Sequence, residues 1–297
     1  MYKNIRNYQK AYNKVIEKLQ KNENVLAAMV FGSMVTGDLW EESDIDYFAI
    51  TNSKNNEIQD IHSKEQGIDI HVRFMSKSRF FELYEKKLEG VFIHRLMCTS
   101  KLVFSKDTEI TEKYDLCRFI PLEYRGMWNM VFMGRLIKNL KECRKYLKKD
   151  NISTSFTIMV KCIEEYSKLY LSVNEYSISK NAVTIATNLN DTLYKLVKDL
   201  YVLEEDKKKA LKDLVEYLNS EITKNLRDVC FILIEFLKEY KMPINSYELS
   251  KREPFSEYKM NLPEILDKLS ELQIIKQSER DYEVEGITVF KEKVYSI

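Results

Sequence analysis

The chain has 297 residues but only seven glycines and four prolines, and between Gly134 and Pro243 it has neither. Without those residues a dense set of tight turns is excluded there, so the middle of the chain reads as a helical bundle. Five cysteines, Cys98, Cys117, Cys143, Cys162 and Cys230, are scattered with no C-x-x-C pair, which excludes a disulfide framework and a cysteine zinc site. The longest apolar run, residues 229–237, is broken by Glu235 and falls far short of the twenty or so residues that a membrane helix needs. The N-terminal residues lack a secretory apolar core, so a cytoplasmic location is expected and no membrane partner. The net charge of +1 lacks the basic excess of a protein that tracks a polynucleotide, and nucleic acid is not expected as a partner. Residues 1–150 hold 26 Lys and Arg against 21 Asp and Glu, and residues 151–297 hold 21 against 25. That suits a nucleotide on the first half and a cationic acceptor on the second, although a solvated surface carries a difference this small.

What the chain does have is concentrated in residues 31–50, FGSMVTGDLWEESDIDYFAI. An apolar run over residues 25–31 suits a buried strand, and Gly32 and Ser33 end it. Gly37 allows a turn or a close approach of backbone to a ligand. Residues 44–50 read as a second strand, and the two-residue period puts Asp44 and Asp46 on one face. Two like charges there call for a cation, and hard oxygen ligands suit Mg²⁺. Residues 68–74 alternate strictly, with Ile68, Ile70, Val72 and Phe74 on one face and Asp69, His71 and Arg73 on the other. Asp69 is a candidate third carboxylate. Arg73 is a candidate phosphate contact, and His71 is a neighbour of the site.

The order Gly-Ser, Asp-x-Asp and a later isolated Asp resembles the nucleotidyltransferase superfamily named for DNA polymerase β. The matching residues are Gly32, Ser33, Gly37, Ser43, Asp44, Asp46 and Asp69. The resemblance implies an NTP co-substrate, ATP being the family's preference, and two Mg²⁺ ions held by Asp44, Asp46 and Asp69. It also implies phosphate contacts from Gly32, Ser33 and Ser43.

Around this motif the sequence predicts a helix over residues 7–21, a helix near 78–89 and a strand over 101–105. The expected architecture is α/β plus all-α: a small mixed-sheet nucleotidyltransferase domain (residues 1–112), a helical bundle that binds the acceptor (113–243) and a short C-terminal α/β module (244–297). In that module a helix over 262–272 starts with Pro263, and residues 282–290 read as a hairpin, an order compatible with a winged helix.

Within the bundle, Met159, Ile163, Tyr166, Tyr170 and Val173 form a helical stripe, with Glu165 at its edge and Glu164 nearly opposite its centre. The helix, the polar turn after it and Ser179-Lys180 resemble the helical domain of adenylyltransferases that inactivate streptomycin and spectinomycin, which implies a phosphate contact for Lys180. Glu165-Tyr166 is similar to a Glu-Tyr pair of kanamycin-type nucleotidyltransferases, which implies that Glu165 is the general base. Leu169 stands where that second family has a lysine. The resulting expectation is adenylyl transfer to a hydroxyl of a small cationic molecule of the aminoglycoside or lincosamide kind. Two other classes stay open. One is an antitoxin-like enzyme that adenylylates a protein, and the other is a DNA-binding regulator with a nucleotide-sensing domain.

Overall fold

The computed structural model describes residues 5–36, 40, 42–85, 97, 99–117, 122–176, 178, 181–202 and 206–297. Contacts divide the chain into two units, Met1–Ile120 and Pro121–Ile297.

In the first unit, helix α1 (Ile5–Lys21) buries Tyr8, Ala11, Val15 and Leu19, the spacing that makes one apolar stripe. The strands are β1 (Val25–Phe31), β2 (Ile45–Thr51), β3 (Gln59–Glu65), β4 (Ile68–Ser76) and β5 (Lys101–Ser105), arranged β3-β4-β2-β1-β5. Among the described residues only the β2–β4 pair is parallel. Strands β1 and β2 read as continuous apolar runs because the sheet is covered on both faces. Val30, Ile45, Tyr47, Ile70 and Val72 share one core with α1. Met29, Phe48, Ile50 and Met75 share the other with Phe80 of α3 (Lys77–Glu85) and with Ile110 and Tyr114 of α4 (Thr108–Cys117). The boundary expected at residue 112 therefore falls inside α4, whose buried residues belong to the first unit.

Strand β3 does not show in the apolar pattern, since its residues are exposed or nearly so. It is an edge strand joined to β4 by Gln66-Gly67, both at positive φ, the conformation of a two-residue type I′ hairpin.

The second unit begins with α5 (Leu122–Lys148) and α6 (Ile152–Val173), which pack as an antiparallel pair around a turn capped by Asn151, whose side chain accepts from the Thr154 N–H at 3.1 Å. Helices α7 (Ala182–Leu189), α8 (Asp191–Val202), α9 (Lys207–Val229) and α10 (Phe231–Tyr240) complete the bundle. The last fifty residues share its core. Leu249 of α11 (Ser246–Ser250), Phe255 of a 3₁₀ turn, Ile265, Leu266 and Leu269 of α12 (Leu262–Glu271), and Tyr295 lie in one apolar cluster with Met130, Leu136 and Leu233. The hairpin β6 (Lys276–Val284) and β7 (Ile287–Ser296) is longer than its apolar residues suggest. Ile244 and Tyr295 exchange backbone hydrogen bonds of 3.0 and 2.9 Å at its base. Helix, helix and hairpin follow a winged-helix-like order, built onto the bundle and not as a separate unit.

Candidate active site

The site lies on the first unit at the N-terminal end of β2, where the parallel β2–β4 pair and the antiparallel β1–β2 pair meet. Strand pairing sets Phe31 opposite Asp46 and Asp46 opposite His71. On the far side of β4, Asp60, His62 and Lys64 of β3 stand opposite Arg73, His71 and Asp69. Directly opposed residues share a face, so these polar side chains occupy one surface of the sheet.

Gly32 turns the chain out of β1 at φ +72°, and a Cβ built there would stand 2.9 Å from Asp46 Oδ2. Both the backbone angle and the carboxylate demand glycine. The single helical turn α2 (Ser33–Thr36) follows, and Ser33 Oγ donates to the Asp44 carbonyl at 3.4 Å, which ties the Gly-Ser turn to the approach to β2. Ser43, 6% exposed, serves the fold of that approach. Its hydroxyl accepts from the Trp40 N–H at 3.0 Å, and its own N–H donates to the Trp40 carbonyl at 2.9 Å. The buried Tyr8 hydroxyl reaches the Trp40 and Ser43 carbonyls at 2.8 and 2.9 Å. Helix α1 thus anchors the turn from which Asp44 emerges.

Asp44 is exposed and Asp46 half-buried. Burial, then the charge of Asp44, push the Asp46 carboxyl above its usual range, against the hydrogen bond from His71. His71 bridges two acids, with Nδ1 3.1 Å from Asp46 Oδ1 and Nε2 2.9 Å from Asp60 Oδ1. Its ring stacks on His62 with centroids 4.3 Å apart. Arg73 donates through Nε to Asp60 Oδ1 at 2.8 Å, and these bonds from Arg73 and His71 hold the Asp60 carboxyl below its usual range.

The Asp69 carboxylate lies 3.1 Å from Lys64 Nζ on β3. Among the described residues no three His, Cys, Asp or Glu side chains form a group able to hold a metal ion. Asp44 and Asp46 by themselves suit one Mg²⁺, which is commonly held by one or two carboxylates together with substrate phosphates. A cation there would relieve the repulsion that raises Asp46.

On the second unit, Glu165 is 8% exposed while Glu164 faces solvent, the phase that the helical wheel gives. Glu165 Oε1 accepts from Lys168 Nζ at 2.8 Å. Oε2 is buried without a hydrogen bond, 3.8 Å from Arg135. Gly37 and Lys180 lie outside the described residues. The sequence reading missed Asp60, His62 and Tyr8. The Gln66-Gly67 turn ahead of an alternating strand was the available signal for a hairpin, and with it for β3.

Comparison with known proteins agrees with this geometry. Residues 13–109 match the family model described as polymerase beta, nucleotidyltransferase. No curated protein matches the chain. Among solved structures, a nucleotidyltransferase-like protein from Exiguobacterium sibiricum is similar at 15% identity and a TM-score of 0.66, over 97% of this chain and 99% of that one. At that identity the likeness speaks for the fold, and it runs through both units and the C-terminal hairpin. Residues 13–109 thus resemble the polymerase β nucleotidyltransferase family in sequence, and the fold of the chain is that of a nucleotidyltransferase-like protein.

Proposed function

We propose that the protein transfers a nucleoside monophosphate, AMP from ATP, to a hydroxyl of a small cationic acceptor such as an aminoglycoside or lincosamide, with release of pyrophosphate. The observation that carries this reading is the acidic pair at the open end of β2. Asp46 is raised by burial and by Asp44, and its Oδ2 looks onto a glycine that leaves room for nothing larger. Asp44 and Asp46 would hold Mg²⁺ with the triphosphate. When bound, the ion neutralises phosphate charge and draws electrons from the reacting phosphoryl group. Gly32 and Ser33 keep the backbone low beside it. Arg73 is fixed through Nε by Asp60 and brings a guanidinium whose geometry matches phosphate. Lys180 keeps its phosphate role on the sequence resemblance.

In the transfer itself the acceptor oxygen forms a bond to the α-phosphorus while the bond from that phosphorus to the bridging oxygen breaks, and pyrophosphate leaves with the electron pair. The hydroxyl proton goes to a base, for which Glu165 is the proposed residue. Its support is a buried oxygen without a hydrogen bond beside Arg135 and Lys168. The C-terminal module does not favour a DNA-binding reading. Helix α12 carries Glu264, Asp267 and Glu271 against Lys268, and Lys268 is paired with Glu271. That is not the basic face that a groove requires.

The test is incubation of the full chain with Mg²⁺, each α-labelled NTP in turn, and aminoglycosides, lincosamides or whole-cell extract. Label on a small molecule supports the proposal. Label on a protein band would replace it with the protein-adenylylating reading, and no transferred label at all would refute both.

A further inference from the structure

Resting on that nucleotidyl-transfer reading, we infer that Trp40 is the platform on which the nucleobase of the co-substrate stacks. The chain has two tryptophans. Trp128 serves the fold, with its ring packed against Phe132 and Tyr258 at centroid distances of 5.7 and 6.1 Å. Trp40 is 63% exposed, and among the described residues its indole meets no other ring. A side chain this large forgoes much by staying in water, and here it does so at the edge of a ligand site.

The exposure is built in, because the backbone beneath the ring is fixed. The Trp40 N–H donates to the Ser43 hydroxyl at 3.0 Å, and the Trp40 carbonyl accepts from the Ser43 N–H at 2.9 Å and from the Tyr8 hydroxyl at 2.8 Å. The bond from the Ser43 N–H closes a four-residue turn, whose ends lie within about 7 Å of each other. Asp44 follows at once, and its carbonyl accepts from Ser33 Oγ. Trp40 therefore stands one tight turn from the acidic pair and from the Gly-Ser turn proposed to receive the phosphates. The nucleotide is the ligand within reach of such a neighbour, since the triphosphate is assigned to this unit and the acceptor to the second. Of the parts of a nucleotide only the base has a π face, and stacking on an aromatic side chain favours every base. Trp40 accordingly supplies affinity for the base without choosing between ATP and GTP.

The experiment measures binding without turnover. The full chain is titrated calorimetrically in Mg²⁺ with α,β-methylene ATP, α,β-methylene GTP and inorganic tripolyphosphate, which has the phosphates and no base. Trp40→Ala should weaken both nucleotides alike, by about 10–100-fold, and leave tripolyphosphate within about threefold of wild type. Trp40→Phe, which keeps a π face, should hold both nucleotides within about threefold of wild type. α,β-methylene ATP should also quench the tryptophan emission of the wild type and not that of Trp40→Phe, in which Trp128 alone emits. Unchanged nucleotide affinity in Trp40→Ala, a loss that falls equally on tripolyphosphate, or a loss confined to one of the two nucleotides would overturn the inference. A wild type that binds neither nucleotide nor tripolyphosphate would overturn the transfer reading beneath it as well.

Discussion

Gly32 and Asp46 face each other so closely that any side chain at position 32 would meet the carboxylate, its Cβ standing 2.9 Å from Oδ2. The backbone there is also left-handed, at φ +72°. Gly32→Ala should therefore destabilise the first unit by about 1–2 kcal/mol from the backbone angle alone and weaken Mn²⁺ binding in the presence of nucleotide. Thermal melts and a Mn²⁺ titration read the two effects. An unchanged melt with unchanged affinity would mean that the cradle is looser than its geometry.

Asp46 gives a pH-dependent effect whose sign is fixed. Its carboxyl is raised, first by burial and then by Asp44, so its ionisation carries a folding penalty, nil below the unfolded value and complete once pH has risen through the folded one. Asp46→Asn keeps an acceptor for His71 and removes the charge. In metal-free buffer at pH 7 it should melt higher than wild type, with the gap closing as pH falls toward the ordinary carboxylate value of 3.8. Excess Mg²⁺ and nucleotide should close it by stabilising the wild type alone. A lower melt for Asp46→Asn at neutral pH would show that the charge is already compensated.

The Tyr8 hydroxyl is the link between α1 and the turn that carries Asp44. Tyr8→Phe should cost about 0.5–1.5 kcal/mol in denaturant unfolding and also weaken cation binding, because the Trp40 and Ser43 carbonyls lose their clamp. A loss of stability with intact cation affinity would confine Tyr8 to packing.

Glu165 and Glu164 are adjacent on α6 but differ in burial. If Glu165 is the base, Glu165→Gln should lower kcat about 10²–10⁴-fold with little change in nucleotide affinity, and higher pH should restore part of it as the acceptor ionises unaided. Glu164→Gln should behave like wild type. Equal effects, or an effect of Glu164 alone, would remove Glu165 from the chemistry.

Much of this arrangement was legible before any coordinates. Apolar runs marked β1 and β2, which are covered on both faces, strict alternation marked β4, and the absence of Gly and Pro marked the bundle. The phase of Glu165 followed from helical periodicity. Strand β3 was not legible, since an exposed edge strand has no apolar side to reveal it, and with it went Asp60 and its hold on His71 and Arg73. Nor does alternation give register. Asp69, His71 and Arg73 share a face in the sequence, but only the pairing of β2 with β4 sets His71, and not Asp69, opposite Asp46. The resemblance implies a phosphate contact for Ser43, but no sequence pattern shows that its hydroxyl accepts from the Trp40 N–H.

The most direct measurement is where each phosphorus of ATP goes. The chain is incubated with Mg²⁺ and an acceptor that accumulates label, once with α-labelled and once with γ-labelled ATP, for the wild type, Asp44→Asn and Asp46→Asn. The expected result is α-label on the acceptor, γ-label in pyrophosphate, and loss of both in each variant while the fold is retained. Transfer of the γ-label to the acceptor, or full transfer by a chain lacking either carboxylate, would contradict nucleotidyl transfer at Asp44 and Asp46.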